Sequence, residues 1–220
     1  MAVVRRLTVG IVDSGGPPDT MADARAFFAE GCGPAMPDRL GHGTAVGAII
    51  RRAAPDARLH HAQVFDDRPI TSADRVARAI DWLSADCAVI VLSLGLASDR
   101  RVLRQACKAA LARGCSLVAA SPSRGGPCWP AAYPGVIAAT GDARCGWPDL
   151  SLLPDGVIGA WCASPEHGGT GMGGASLAAA RVAGHLAAGF AEAGSDPFQW
   201  LAKHARHIGP ERRLAAVPAR

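Results

Sequence analysis

The stretch Gly174-Ala175-Ser176-Leu177-Ala178-Ala179-Ala180-Arg181-Val182-Ala183-Gly184 places a serine just after a glycine, at the start of a run of small residues. Alanine-rich runs favour a helix, so Ser176 falls in a first helical turn. The first N–H groups of a helix have no intrahelical acceptor and can therefore hold a negatively charged oxygen. This position suits a nucleophilic serine.

Two earlier segments supply what such a serine needs. The run Leu7-Thr8-Val9-Gly10-Ile11-Val12 predicts a buried strand that ends at Asp13, and Gly41-His42-Gly43-Thr44 puts a histidine at the start of another helix. A hydroxyl becomes a good nucleophile when a neutral imidazole takes its proton and a carboxylate orients that imidazole. Taken singly, the three residues have ordinary readings as turn, loop and cap residues. Their order along the chain is Asp, His, Ser.

These residues resemble the motifs of the subtilisin-like serine proteases, the subtilases. Val12-Asp13-Ser14-Gly15 is similar to the aspartate motif of that family, His42-Gly43-Thr44 to its histidine motif, and Gly174-Ala175-Ser176-Leu177-Ala178 to its serine motif. The resemblance implies a catalytic triad in which Ser176 is the nucleophile, His42 is the general base and then acid, and Asp13 orients His42.

The hydrophobic pattern alternates strands with helices. Several of the strands are apolar throughout, which predicts an α/β fold with a doubly wound, mostly parallel sheet flanked by helices. Strands are expected at 7–12, 59–65, 88–94, 115–120, 133–138 and 156–162, and helices at 21–30, 42–53, 71–85, 99–113, 176–184 and 196–207. We expect residues 1–220 to form a single subtilisin-like peptidase domain without a propeptide.

The resemblance also assigns the substrate-binding segments. Ser93-Leu94-Gly95 matches the edge to which a subtilase substrate adds as a strand, and Val118-Ala119-Ala120 matches a wall of the primary specificity pocket. Because this mode of binding uses backbone pairing, the expected substrate is an extended peptide or a precursor protein.

The oxyanion hole departs from the family pattern. The family has Gly-Asn after the pocket wall, whereas this chain reads Ser121-Pro122-Ser123. The hole is therefore expected to use the N–H of Ser176 and the hydroxyl of Ser123, which has a shorter reach than asparagine. Loss of one such donor lowers turnover by about 10² to 10³, a magnitude taken from subtilisin itself.

Composition excludes several other classes of protein. The net charge is +4 without a basic stripe, so we expect no nucleic-acid partner. Only six residues separate Arg6 from Asp13, too few for a secretion signal, and the seven cysteines show no CxxC spacing. We therefore expect a cytoplasmic protein with reduced thiols, no membrane association, no cofactor and no metal site.

Two alternatives remain open. Residues 169–174 satisfy the G-x-G-x-x-G dinucleotide pattern, although no further βαβ unit follows them. The change to Ser123 also allows a catalytically impaired subtilase fold that binds peptides as an adaptor or chaperone. The favoured function is an intracellular serine endopeptidase that resembles small leader peptidases. Such an enzyme would trim a modified precursor such as the small subunit of quinohemoprotein amine dehydrogenase.

Overall fold

The computed structural model describes residues 7–163 and 173–210, and ten strands in these ranges form one sheet. In chain order they are β1 (Thr8–Asp13), β2 (Ala24–Phe27), β3 (Cys32–Pro34), β4 (Arg58–Gln63), β5 (Val89–Leu92), β6 (Ser116–Ala120), β7 (Ile137–Gly141), β8 (Leu150–Leu152), β9 (Ile158–Ala160) and β10 (Ala205–Ile208). The helices are α1 (His42–Ala53), α2 (Ala73–Leu83), α3 (Arg101–Ala112), α4 (Ala175–Ala188), α5 (Phe190–Ala193) and α6 (Pro197–Lys203).

The sheet has the order β10-β8-β9-β7-β6-β5-β1-β4-β2-β3. The run from β2 to β9 in this order is parallel, whereas β3 pairs antiparallel with β2 and β8 pairs antiparallel with β9. The prediction of a mostly parallel α/β sheet is confirmed. Because β1, β5 and β6 are parallel neighbours, their carboxyl ends meet at one edge, where such folds place their ligand sites.

Each face of the sheet carries its own core. In β5, Val89 and Val91 belong to the cluster under α1 and α4, whereas Ile90 and Leu92 belong to the cluster under α2 and α3. This division follows from the alternation of side chains along a strand. Helix α4 is buried along most of its length, which fits its many small apolar residues, and its Arg181 is also buried and donates to the carbonyl of Trp161 at 2.8 Å.

Three local predictions are wrong. Residues 21–30 were expected to be helical, but a 3₁₀ turn at Pro18–Asp23 is followed by β2, whose parallel pairing with β4 overrides local helix propensity. The strand expected at 133–138 begins only at Ile137, because residues 130–136 form turns. The helix expected at 196–207 ends at Lys203, and β10 follows it because these residues pair with β8.

The helices at 42–53, 71–85 and 99–113 are confirmed to within a few residues. Most of the G-x-G-x-x-G pattern, residues 169–172, lies outside the described residues. Across 7–163 and 173–210, no helix combines the length and the apolar character that crossing a bilayer requires.

Candidate active site

Asp13 is the last residue of β1 and is buried, with 1% of its surface exposed. Its Oδ1 accepts hydrogen bonds from the backbone N–H of Ser14 at 2.7 Å and from the hydroxyl of Ser14 at 3.1 Å. Both carboxylate oxygens lie close to Nδ1 of His42, at 2.9 Å and 2.8 Å. A buried carboxylate with several donors is held in one orientation and kept ready to fix an imidazole tautomer.

His42 is the first residue of α1 and follows Gly41, whose φ of 70° favours glycine. Its Nε2 lies 2.9 Å from Oγ of Ser176. Burial alone lowers the pKa of His42, but the hydrogen bond to Asp13 and the charges of Asp13 and Asp38 outweigh it, so the pKa is raised above its usual value. The structure therefore brings the three predicted residues together as one hydrogen-bonded chain.

Ser176 is the second residue of α4 and is half-buried. The residue before the helix, Gly174, has a φ of 110° and contributes no side-chain cap. Leu177 and Ala178 donate to the carbonyl of Gly174, whereas the N–H groups of Ala175 and Ser176 have no acceptor among the described residues and can serve an external one beside Oγ of Ser176.

Side chains from β4 hold the segment that carries Asp13. The amide of Gln63 donates to the carbonyl of Ser14 at 2.8 Å, and Nδ1 of His61 donates to the carbonyl of Gly15 at 3.0 Å. The hydroxyl of Ser14 in turn accepts from the N–H of Gly43 at 3.0 Å. Sequence reasoning missed these roles, although two polar residues at alternate positions of a buried strand were a usable signal.

Asp38 is a second residue that sequence reasoning missed. One of its oxygens accepts from the N–H of Gly41 at 2.9 Å, and the other accepts from the N–H and hydroxyl of Thr44 at 2.8 Å and 2.7 Å. Burial alone raises the pKa of Asp38, but the hydrogen bonds from Thr44 and Gly41 bring it below its usual value. Asp38 therefore caps α1 in place of Gly41 and adds a negative charge near His42.

A cleft of about 560 Å³ opens beside Asp13 and His42. One wall is the predicted substrate edge, Ser93-Leu94-Gly95 with Leu96, and the other wall comes from the loop between β4 and α2, at Phe65, Pro69, Ile70 and Thr71. Leu96 uses both its N–H and its C=O to pair with Trp129. Because backbone groups alternate in direction along an extended segment, those of Gly95 face the cleft, where an added strand would pair.

Comparison with known proteins gives two curated relatives, and no protein-family model matches the chain. The chain is 32% identical over 148 residues to the minor extracellular protease Epr of Bacillus subtilis (strain 168). This match covers 61% of this chain and 23% of Epr. It is 35% identical over 144 residues to the subtilisin-like protease het-Q2 of Podospora anserina, and this match covers 60% of this chain and 38% of het-Q2. The chain therefore spans less than two-fifths of either relative.

Solved structures match a larger share of the chain. The psychrophilic protease S41 superposes with a TM-score of 0.68 at 20% identity, over 90% of this chain and 81% of its own. The chain has the subtilisin-like fold. The nisin leader peptidase NisP from Lactococcus lactis has the same fold, with a TM-score of 0.67 at 20% identity over 90% of this chain and 81% of NisP.

The remaining predicted site residues lie elsewhere in this subtilisin-like fold. Val118-Ala119-Ala120 are buried within β6 and are not among the residues lining the cleft with His42. Ser123 is exposed and lines a second cavity of about 660 Å³ with Ser121 and Thr140. Their roles as pocket wall and oxyanion donor stay predictions.

Proposed function

We propose that this chain is a serine endopeptidase in which Asp13, His42 and Ser176 form the catalytic triad. The observation that carries the proposal is the continuous hydrogen-bonded chain from Asp13 through Nδ1 and Nε2 of His42 to Oγ of Ser176. A structural serine or histidine has no need of this arrangement, whereas nucleophilic catalysis requires it.

The reaction follows from this geometry. Nε2 of His42 takes the proton of Ser176 while Oγ attacks the peptide carbonyl, and the raised pKa of His42 makes it a stronger base. The tetrahedral oxyanion is held by the N–H of Ser176 and, in this proposal, by the hydroxyl of Ser123. His42 then protonates the leaving amine as the intermediate collapses. Water repeats the cycle on the acyl-enzyme and frees Ser176.

For the substrate, we propose the leader segment of a specific precursor peptide, modified before cleavage, with the small subunit of quinohemoprotein amine dehydrogenase as one candidate. The cleft beside His42 suits an extended peptide, and one protein of the same fold is a nisin leader peptidase. Replacement of the family's asparagine by Ser123 supports selectivity, since a weakened oxyanion hole favours substrates with additional binding energy. We place this activity in the cytoplasm.

A second candidate is a peptide-binding adaptor with little or no catalysis. The observation that favours it is Ser123, which is exposed and lines a cavity separate from the cleft of His42. Such a protein would still bind an extended peptide along Ser93-Leu94-Gly95.

Labelling with a fluorophosphonate separates these two candidates. The endopeptidase should be modified at Ser176 alone, and Ser176→Ala should abolish labelling, while Ser195→Ala, at an exposed turn outside the cleft, should label normally. Purified protein is then incubated with candidate precursors and with unfolded casein. A single cut at a leader junction with casein spared supports the leader peptidase. Rapid digestion of casein at many sites contradicts that substrate, and an unlabelled Ser176 contradicts the endopeptidase.

A further inference from the structure

The two cleft walls belong to the segments 65–71 and 93–104. In these segments the acidic side chains are paired, but some of the arginines are not. In the part of the chain that the structure describes, the acidic residues of these segments are each held in an ion pair, namely Asp66 with Arg75 at 2.9 Å, Asp67 with Arg39 at 2.8 Å, and Asp99 with Arg104. Three arginines of the same segments have no acidic partner among the described residues: Arg68, Arg100 and Arg101. These arginines do not line the cleft itself, but Arg68 directly precedes the lining residue Pro69 and Arg100 lies four residues after Leu96, so both wall segments continue with unpaired positive charge.

Two of these arginines are held in place. The hydroxyl of Tyr133 donates to Asp99 at 2.8 Å and accepts from the backbone N–H of Arg100 at 3.3 Å, which fixes the turn before α3. Burial and the hydrogen bond to Asp99 raise the pKa of Tyr133 to about 12, so its proton is retained at neutral pH. Helix α3 begins at Arg101 and has no acidic residue in its first turn.

The cleft that leads to these arginines has unused hydrogen-bonding capacity. Ser93 is 6% exposed and lines the cleft, and its hydroxyl has no partner in the described structure. Gly95 lines the same space, and its backbone is not paired with Trp129 as that of Leu96 is. A peptide that pairs with Ser93 and Gly95 would continue past Leu96 toward the turn that carries Arg100.

We propose that Arg68, Arg100 and Arg101 form a basic entrance that recognises acidic side chains of the substrate on the N-terminal side of the scissile bond. This inference rests on the proposed endopeptidase function. If the residue before the scissile bond pairs with Ser93 and the substrate runs antiparallel, each further residue advances about 3.4 Å. In that register Leu96 lies opposite the fourth residue before the cut, so side chains that approach the turn carrying Arg100 belong to residues beyond it, about five to seven before the cut. Charge pairs at such a rim act mainly on specificity and on the rate of association.

The test uses two internally quenched peptides. A cleavable core is first found by digesting a synthetic peptide library and identifying the products by mass spectrometry. The two peptides share this core and differ only at positions five to seven before the cut, where one carries glutamates and the other glutamines. We expect kcat/KM to be about five- to tenfold higher for the glutamate peptide at low ionic strength, and the difference to shrink in about 0.5 M salt.

The second part of the experiment reverses the charge of two of the arginines. The double variant Arg100→Glu/Arg101→Glu should lose the preference for glutamate and gain one for a matched lysine peptide, which a purely structural defect would not produce. Lys108→Glu, exposed two turns further along α3, serves as the control and should keep the wild-type preference. Equal kcat/KM values for the glutamate and glutamine peptides overturn the basic entrance while leaving the endopeptidase intact. No cleavage of any library peptide together with an unlabelled Ser176 overturns both.

Discussion

The two faces of the sheet are covered by helix pairs of opposite character. Helices α2 and α3 are amphipathic, and α2 begins with a conventional cap in which Oγ of Ser72 accepts from the N–H of Arg75 at 3.2 Å. Helices α1 and α4 begin after Gly41 and Gly174, and neither glycine supplies a side-chain cap. These two helices carry His42 and Ser176 in their first turns. In α1 the first-turn N–H groups are satisfied from outside the helix, by Ser14 and Asp38, whereas in α4 the N–H groups of Ala175 and Ser176 have no acceptor among the described residues and are left for the reaction.

Helices α1 and α4 are held against each other by close packing. Gly184 in α4 faces α1, and a Cβ added to it would lie 3.0 Å from Cβ of Ala53 and 3.4 Å from Cα of Ile50. At the other end of α1, a Cβ on Gly43 would lie 2.1 Å from the carbonyl oxygen of Gly15. The distance between His42 and Ser176 therefore depends on small residues that let the backbones approach. On the opposite face a Cβ on Gly10 in β1 would lie 2.9 Å from Leu83 in α2, but there the neighbour is the end of a leucine side chain rather than the backbone.

The largest effect is expected from removing either reacting group on the face that α1 and α4 cover. Ser176→Ala or His42→Ala should lower kcat by a factor on the order of 10⁶, the size of loss known for the same changes in subtilisin. Neither residue contributes to the core, so the thermal midpoint should move by less than about 2 °C. Peptide hydrolysis and a thermal melt measure the two quantities. Near-normal activity in Ser176→Ala would refute the triad.

The next effect comes from forcing helices α1 and α4 apart. Gly184→Val places new atoms against Ala53 and should cost about 1–3 kcal/mol through overpacking, which lowers the thermal midpoint by roughly 4–10 °C. Activity should fall as well, because the contact between His42 and Ser176 spans this interface. The matched control is Ala112→Val on the exposed side of α3, which should change the midpoint by less than about 2 °C. Equal midpoints for the two variants would contradict the close-packing argument.

A smaller effect is expected from removing the cap on the opposite face. Ser72→Ala leaves the N–H of Arg75 without its acceptor and should cost about 1 kcal/mol, or roughly 3 °C in thermal midpoint. Because Ser72 is exposed and does not itself line the cleft beside His42, kcat should stay close to the wild-type value. A fall in kcat without loss of stability would show that the two helix pairs do not divide structure and catalysis in this way.

The same comparison explains what the sequence could predict. Helix α2 is predicted by the apolar stripe that follows Ser72. Helices α1 and α4 are predicted by the motifs that contain His42 and Ser176, because nucleophilic catalysis requires these residue types. The segments 21–30 and 196–207 were assigned wrongly because β2 and β10 gain their stability from pairing with β4 and β8, which lie far away in sequence. Pairing of that kind leaves little local signal.

The candidate site divides in a similar way. Asp13, His42 and Ser176 were predictable because the reaction fixes their residue types and their places at the ends of elements. Asp38 and His61 were not, because many side chains can cap a helix or hold a carbonyl, and only the folded chain shows which one does so.

The smallest expected effect concerns the pKa of His42, which a negative charge on the same face of the sheet helps to raise. It can be measured through the pH dependence of kcat/KM. His42 must be neutral to accept a proton, so activity should fall as the pH decreases through its pKa, which lies above the usual value of 6.5. The charge of Asp38 helps to raise that pKa, and Asp38→Asn removes the charge while keeping an oxygen able to accept from Thr44. The acid limb of the profile should therefore move toward lower pH. Asp81→Asn, exposed on α2, is the charge-matched control and should leave the limb in place. A limb that stays fixed in Asp38→Asn, or moves toward higher pH, would mean that Asp38 only caps α1 and does not tune His42.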